Sequence, residues 1–267
     1  MGWIRDTTVE VASQPRYPLK IAVCAVSTPL AIMVVVLRGY HCLHINPRGR
    51  RSFYNLCLSL ASAIAYNAIV IAKTRLGLGL PQTSFPEVNV ERYARLDLVG
   101  RLMYILAKAG YNLALSFTAL EYLANANLPT YHRMIWLAIS VVAASHLSSV
   151  LILLLYCRPT EKAWIPRTEG RCLDIGPLLY GTSATTLTCN MIAVILPIRK
   201  LCSLQLTRSR QLNIVSFNLL GLLTPICSVI RICQIEAMLR HGDASMFTIW
   251  GVVELCVGVS ADQVFLT

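Results

Sequence analysis

Apolar residues in this chain gather into seven blocks parted by polar stretches: Lys20–Leu37, Phe53–Leu76, Leu98–Ala124, Met134–Tyr156, Gly176–Ile198, Leu212–Leu239 and Ser245–Phe265. A hydrocarbon core of roughly 30 Å needs about 20 residues of helix at about 1.5 Å rise, and each block is close to that length. The blocks are continuous rather than alternating, and in lipid every backbone group needs an internal partner, so helices are predicted rather than a barrel. The fold class is therefore all-α, a polytopic membrane protein built as a seven-transmembrane helix bundle. A polar N-terminal segment, 1–19, precedes a seven-span membrane domain over 20–265. That segment carries Asp6, Glu10, Pro15 and Pro18 and no apolar stretch, so it reads as no cleaved signal peptide and leaves insertion to the first span.

Composition sharpens the picture: 55% of residues are hydrophobic, 14% are charged, and mean hydropathy is +0.58. Lipid is the expected partner, in an endomembrane or the plasma membrane. The net charge of +11 would ordinarily raise nucleic acid, but no basic region sits in a soluble fold, so none is expected as a partner. The stretches Arg38–Ser52 and Arg199–Gln211 hold only basic charge, with Arg48, Arg50, Arg51, Lys200, Arg208 and Arg210. By the positive-inside tendency they face the cytoplasm, which puts the N-terminus outside. Loops on the other side mix Lys and Arg with Glu87, Glu91, Asp97, Glu161, Glu169 and Asp174.

Ten cysteines raise disulfide and metal chemistry. Six, Cys24, Cys57, Cys189, Cys227, Cys233 and Cys256, fall in spans as small apolar thiols. Cys42 and Cys202 fall in the basic stretches, where acylation is the alternative to a free thiol. Cys157 and Cys172 flank one polar loop and are the disulfide candidate, closing about 15 residues for roughly 3 kcal/mol. Neither C-x-x-C nor H-x-x-x-H occurs, so no metal site and no cofactor is expected. The longest connection, Lys73–Asp97, holds the turn formers Gly77, Gly79, Pro81 and Pro86.

Polar residues inside spans are costly and face the bundle interior. Counting from the predicted outer ends, Lys108, His146, Arg231 and Glu254 fall about eight to ten residues deep, a layer roughly 12–15 Å below the surface. Asn112 lies near that level with Asn67, and Asn190 is somewhat deeper. An unpaired charge there is expensive, so Glu254 is expected to pair with Arg231 or Lys108. Two readings of the layer stand: a structural clamp between helices, or the floor of a ligand pocket opening outward. Tyr40, Tyr156, Trp136 and Trp250 suit the interfacial aromatic belts.

One loop adds a resemblance. Cys157-Arg-Pro with Trp164, Gly170 and Cys172, then Leu196-Pro197-Ile198, Leu204-Gln205-Leu206, Gly221, Ile230-Arg231 and Trp250 with Glu254, resembles the fungal rhodopsin-like-domain family. That family includes satratoxin-cluster membrane proteins and receptor-like proteins of plant-pathogenic fungi. The resemblance is strongest over 157–258, and it implies that Arg231, Trp250, Glu254, Cys157 and Cys172 are the positions that matter. The chain departs from the pattern at Asn190, where the family usually has Asp, and it ends at Val264-Phe265-Leu266-Thr267, short of the family's usual tail.

Retinal needs an amine for its Schiff base. The seventh span has no lysine, and the lysine read as intramembrane, Lys108, is on the third, so a retinal photoreceptor is not expected. The favoured function is an accessory protein or membrane-embedded, cyclase-like enzyme of a mycotoxin or other specialised-metabolite pathway, acting on a hydrophobic small molecule. Glu254 is then the candidate general acid. The alternative is a receptor-like protein sensing an extracellular ligand. A transporter is disfavoured by the lack of an inverted repeat.

Overall fold

The structure, a computed structural model, describes residues 17–44, 49–78, 90–123, 129–165, 167–201, 208–241 and 244–261. The polar segment 1–16, residues 79–89 of the Lys73–Asp97 connection, Cys202, Leu204-Gln205-Leu206 and the residues from Asp262 to Thr267 lie outside the described residues. Among the described residues the chain forms seven helices: α1 (Tyr17–His44), α2 (Arg50–Leu76), α3 (Val90–Leu123), α4 (Pro129–Leu155), α5 (Ile175–Leu201), α6 (Arg208–His241) and α7 (Ser245–Ala261). Between α4 and α5 a short ribbon pairs β1 (Cys157–Arg158) antiparallel with β2 (Arg171–Cys172), and Cys157 stands opposite Cys172. A disulfide joins the two. At Gly170 the backbone turns with φ +155°, and a Cβ there would come within 2.4 Å of the Arg158 carbonyl oxygen, so the ribbon requires glycine.

The bundle shelters polar groups among its buried apolar residues and is apolar without. Val26, Leu137 and Leu147 stand more than 60% exposed on the outer faces of α1 and α4, while Lys108, Asn112, His146 and Glu254 are buried. In water the outer surface would be a severe liability; in lipid it is solvated and the polar groups are sheltered. By length and composition alone Pro18–His44, Arg50–Leu76, His132–Leu155 and Gly221–Arg240 can cross a membrane, and Ser245–Ala261 is a shorter apolar helix. The middle of α3 is less apolar because it carries Lys108 and Asn112.

Two helices are central: α3 packs against α2, α4, α5 and α7, and α7 against α1, α2, α3 and α6. Gly110 makes the α2–α3 contact close. A Cβ at that position would lie 2.8 Å from the Ser59 Cβ and 2.9 Å from its Cα, and the Ser59 hydroxyl donates to the Ala107 carbonyl at 2.7 Å. Small residues let membrane helices approach in this way. Gly110→Val is expected to force α2 and α3 apart and cost about 1–3 kcal/mol. Thermal unfolding of the purified protein in mild detergent reads this directly, and an unchanged melting temperature would contradict the close contact.

The helices run past the apolar blocks, which corrects two expectations. Arg38 and Cys42, expected in a basic loop, lie on α1 and are buried. Burial is tolerated because the Arg38 guanidinium donates to the hydroxyls of Ser52 (3.3 Å) and Thr118 (3.2 Å). At the other end α3 starts at Val90, ahead of its apolar block, where Glu91–Arg95 (2.5 Å) and Asp97–Arg101 (2.8 Å) pair one turn apart. Lys108 is also not alone among buried lysines. Lys20 donates to the Leu78 carbonyl at 3.0 Å, and Lys73 meets Asp97 at 2.5 Å.

Candidate functional site

Helical spacing places the site. On α3, Tyr104, Lys108 and Tyr111 follow at intervals of four and three and share a face. On α7, Gly251, Glu254 and Gly258 do the same, with glycine on either side of the acid. A Cβ on Gly258 would lie 2.8 Å from the Tyr111 ring, and one on Gly251 would lie 3.0 Å from the Tyr66 hydroxyl. The glycines are therefore what let large polar side chains of the neighbouring helices reach the level of Glu254. From α6, Ser228 and Arg231 arrive one turn apart.

Four donors converge on one carboxylate. Lys108 Nζ sits 2.5 Å from Glu254 Oε1, and Arg231 Nη1 sits 3.1 Å from Oε2. The Tyr104 hydroxyl donates to Oε2 at 2.5 Å and accepts from Arg231 Nη1, and the Ser228 hydroxyl donates to Oε1. Behind this centre, Asn190 donates to the Ser228 hydroxyl at 3.0 Å and accepts from the Tyr111 hydroxyl at 3.1 Å. Lys108 and Glu254 are wholly buried and Arg231 is 7% exposed. Its guanidinium carbon lies 4.2 Å from the ring centroids of both Tyr104 and Phe247, which favours the cation. Two cations thus share one acid, leaving a formal charge of +1 at the heart of the bundle.

Above the cluster, at the disulfide end, is a cleft of about 900 Å³. Tyr93, Asp97 and Arg101 of α3 line one wall, Leu173 to Pro177 the facing wall, and Lys162, Ala163 and Cys172 of the disulfide loop also border it. A smaller cavity of about 60 Å³ shares Arg101 and Leu153 with the cleft and reaches Tyr104, Arg231 and Phe247. Glu254 lines neither space.

Other sequence-predicted residues lie apart. Asn112 and His146 bond each other at 3.3 Å, tying α3 to α4. Asn67 donates to Thr28 at 2.9 Å, tying α2 to α1. Trp250 is half-buried on α7 and is not one of the groups bonded to Glu254. Tyr104, Tyr111, Ser228 and Arg101 were not singled out from sequence. A signal existed for three of them, because Tyr104 and Tyr111 are one turn either side of Lys108 and Ser228 is one turn before Arg231.

A helical bundle with an apolar exterior and charged groups gathered at its centre defines a polytopic seven-helix membrane protein. Residues 37–262 match the fungal rhodopsin domain, and the chain belongs to that family. It is 27% identical over 129 residues to a protein of Stachybotrys chartarum named satratoxin biosynthesis SC1 cluster protein 4, a match covering 48% of this chain and 47% of that relative. The chain thus spans about half the length of that curated relative. No solved structure matches it.

Proposed function

We propose that the chain is a membrane-embedded accessory protein of fungal specialised metabolism that takes a hydrophobic small molecule into the cleft beneath the Cys157–Cys172 loop. The observation that carries this is the cleft itself: about 900 Å³, within the range of small-molecule sites, bordered by the disulfide loop and sharing Arg101 and Leu153 with the smaller cavity that reaches Arg231. The relative's printed association with satratoxin biosynthesis supports the metabolic setting. The disulfide supports the orientation in which this end of the bundle faces the lumen or the exterior.

Geometry favours binding over acid catalysis by Glu254. A general acid must reach its substrate with a proton to give. Both Glu254 oxygens accept from Lys108, Arg231, Tyr104 and Ser228, and the cavity walls are Tyr104 and Arg231 instead.

Deletion of the gene followed by metabolite profiling tests the proposal. An end product is expected to disappear while an apolar precursor accumulates. The wild-type gene is expected to restore the profile, whereas Ala94→Trp, which fills the cleft wall, inserts into the membrane without restoring it. An unchanged profile would end the metabolic reading. If the pathway, driven from a constitutive promoter, still yields its product in the deletion strain and only a response to an added compound is lost, the receptor reading takes its place.

A further inference from the structure

We infer that the molecule taken up carries a carboxylate, and that this group docks between Arg101 and Arg231 in the smaller cavity while its apolar remainder lies in the cleft. The inference rests on the binding reading above and goes beyond it in naming the ligand's chemistry.

Charge is the first argument. Among the described residues the smaller cavity is lined by two arginines and by no Asp or Glu. Arg231 shares the one acid of its cluster with Lys108, so its neighbourhood holds an excess cation in a medium where unpaired charge is very costly. Arg101 shares Asp97 with Lys73 in the same two-to-one proportion. One carboxylate between the guanidiniums faces both excesses and lowers their sum from +2 to +1.

Unused hydrogen-bonding capacity is the second. Arg231 is 7% exposed and lines the cavity, and its hydrogen bonds all leave from Nη1; its Nε also has no partner but is walled off beside Gly251. Three hydroxyls on the wall spend their protons on their own helices, and that of Tyr104 goes to Glu254. Ser149 donates to the Ser145 carbonyl, Thr182 to Leu178 and Thr186 to Ser183. The charged donors for an incoming acceptor are the arginines, whose planar fork matches a carboxylate, and the Ser183 hydroxyl stands on the same wall. The packing of Arg231 between Tyr104 and Phe247 holds that fork in one plane before the ligand arrives.

Size is the third. About 60 Å³ admits a few waters or a carboxylate and excludes a bulky headgroup or a ring. Because the cavity shares Arg101 and Leu153 with the 900 Å³ cleft, an acid anchored there has room for a long apolar body beside it.

The test uses the full chain in nanodiscs of zwitterionic lipid, with parinaric acid and its methyl ester as fluorescent probes and empty discs as the partition control. The acid is expected to bind at least about tenfold more tightly than the ester, the loss expected when charged donors lose their acceptor. Arg101→Gln, at a partly exposed position, is expected to reduce that preference to near unity. Arg231→Lys, which keeps the charge but not the fork, is expected to do so in part, with unliganded melting temperature as the check on folding. Equal binding of acid and ester overturns the carboxylate inference and leaves the hydrophobic-ligand reading standing. Binding of neither probe above empty discs overturns both. Loss of the acid signal in discs containing anionic phospholipid, but not in zwitterionic ones, assigns the arginines to membrane lipid and overturns the inference.

Discussion

Glu254→Gln will unfold or severely loosen the bundle, at a cost on the order of 3–5 kcal/mol, because it leaves two buried cations facing each other without an acid. Gln keeps the volume and one acceptor oxygen, so the loss reports charge rather than packing. The converse change is predicted to be mild. Lys108→Met removes the excess cation and leaves Arg231 and Glu254 as a balanced pair, still bonded through Tyr104. Combining the two is expected to recover much of the damage, since the double variant carries the same +1 as the wild type. Thermal unfolding in nanodiscs for the four members of this cycle provides the measurement. Should Lys108→Met prove the more harmful of the two, the centre would be organised around lysine packing and not around a shared carboxylate.

The second large effect concerns the disulfide loop. Breaking the Cys157–Cys172 bond is expected to cost about 3 kcal/mol, from the loop-closure entropy of the 15 positions it spans. Cys157→Ser, Cys172→Ser and the double variant should be equally destabilised, because each abolishes the same link. The damage should concentrate on the cleft: Lys162, Ala163 and Cys172 border it, and the ribbon holding them rests on two residue pairs. Protease sensitivity within 157–172 and binding of an apolar probe report this separately from overall melting. If the double variant melts with the wild type and binds equally well, the loop is held by its other contacts.

Most of the bundle was legible in hydropathy, because lipid penalises an exposed backbone so heavily that a spanning segment has little choice of form. Helix ends were not. Arg38 and Cys42 looked like loop residues because a charge marks a hydropathy boundary, yet the arginine lies inside, where hydroxyls of α2 and α3 are among its partners. The start of α3 was missed for the opposite reason: its first two turns are held by ion pairs, to which an apolar window is blind. At the site, depth counting put Lys108, Arg231 and Glu254 at one level and the structure brings them into contact. The same count grouped His146 with them, whereas His146 faces Asn112. Depth is a coordinate along one axis, and a single sequence carries little about how each helix is turned. Tyr104 and Ser228 went unremarked because a tyrosine or serine in a span is commonplace until a carboxylate is known to stand beside it.

The Lys108–Glu254 bond joins residues 146 positions apart in the chain. Synthesis at about 5–20 residues per second therefore brings α3 to the membrane on the order of ten seconds before its countercharge exists. Through that interval the lysine bears an insertion penalty of about 2.5–3.5 kcal/mol with no acid to meet it. The early helices, α2 above all through its contact at Gly110, have to shelter α3 until α7 emerges. A nascent chain halted before α7 would accordingly be a ready substrate for membrane quality control, and the arrival of the last span would be the event that locks the molecule.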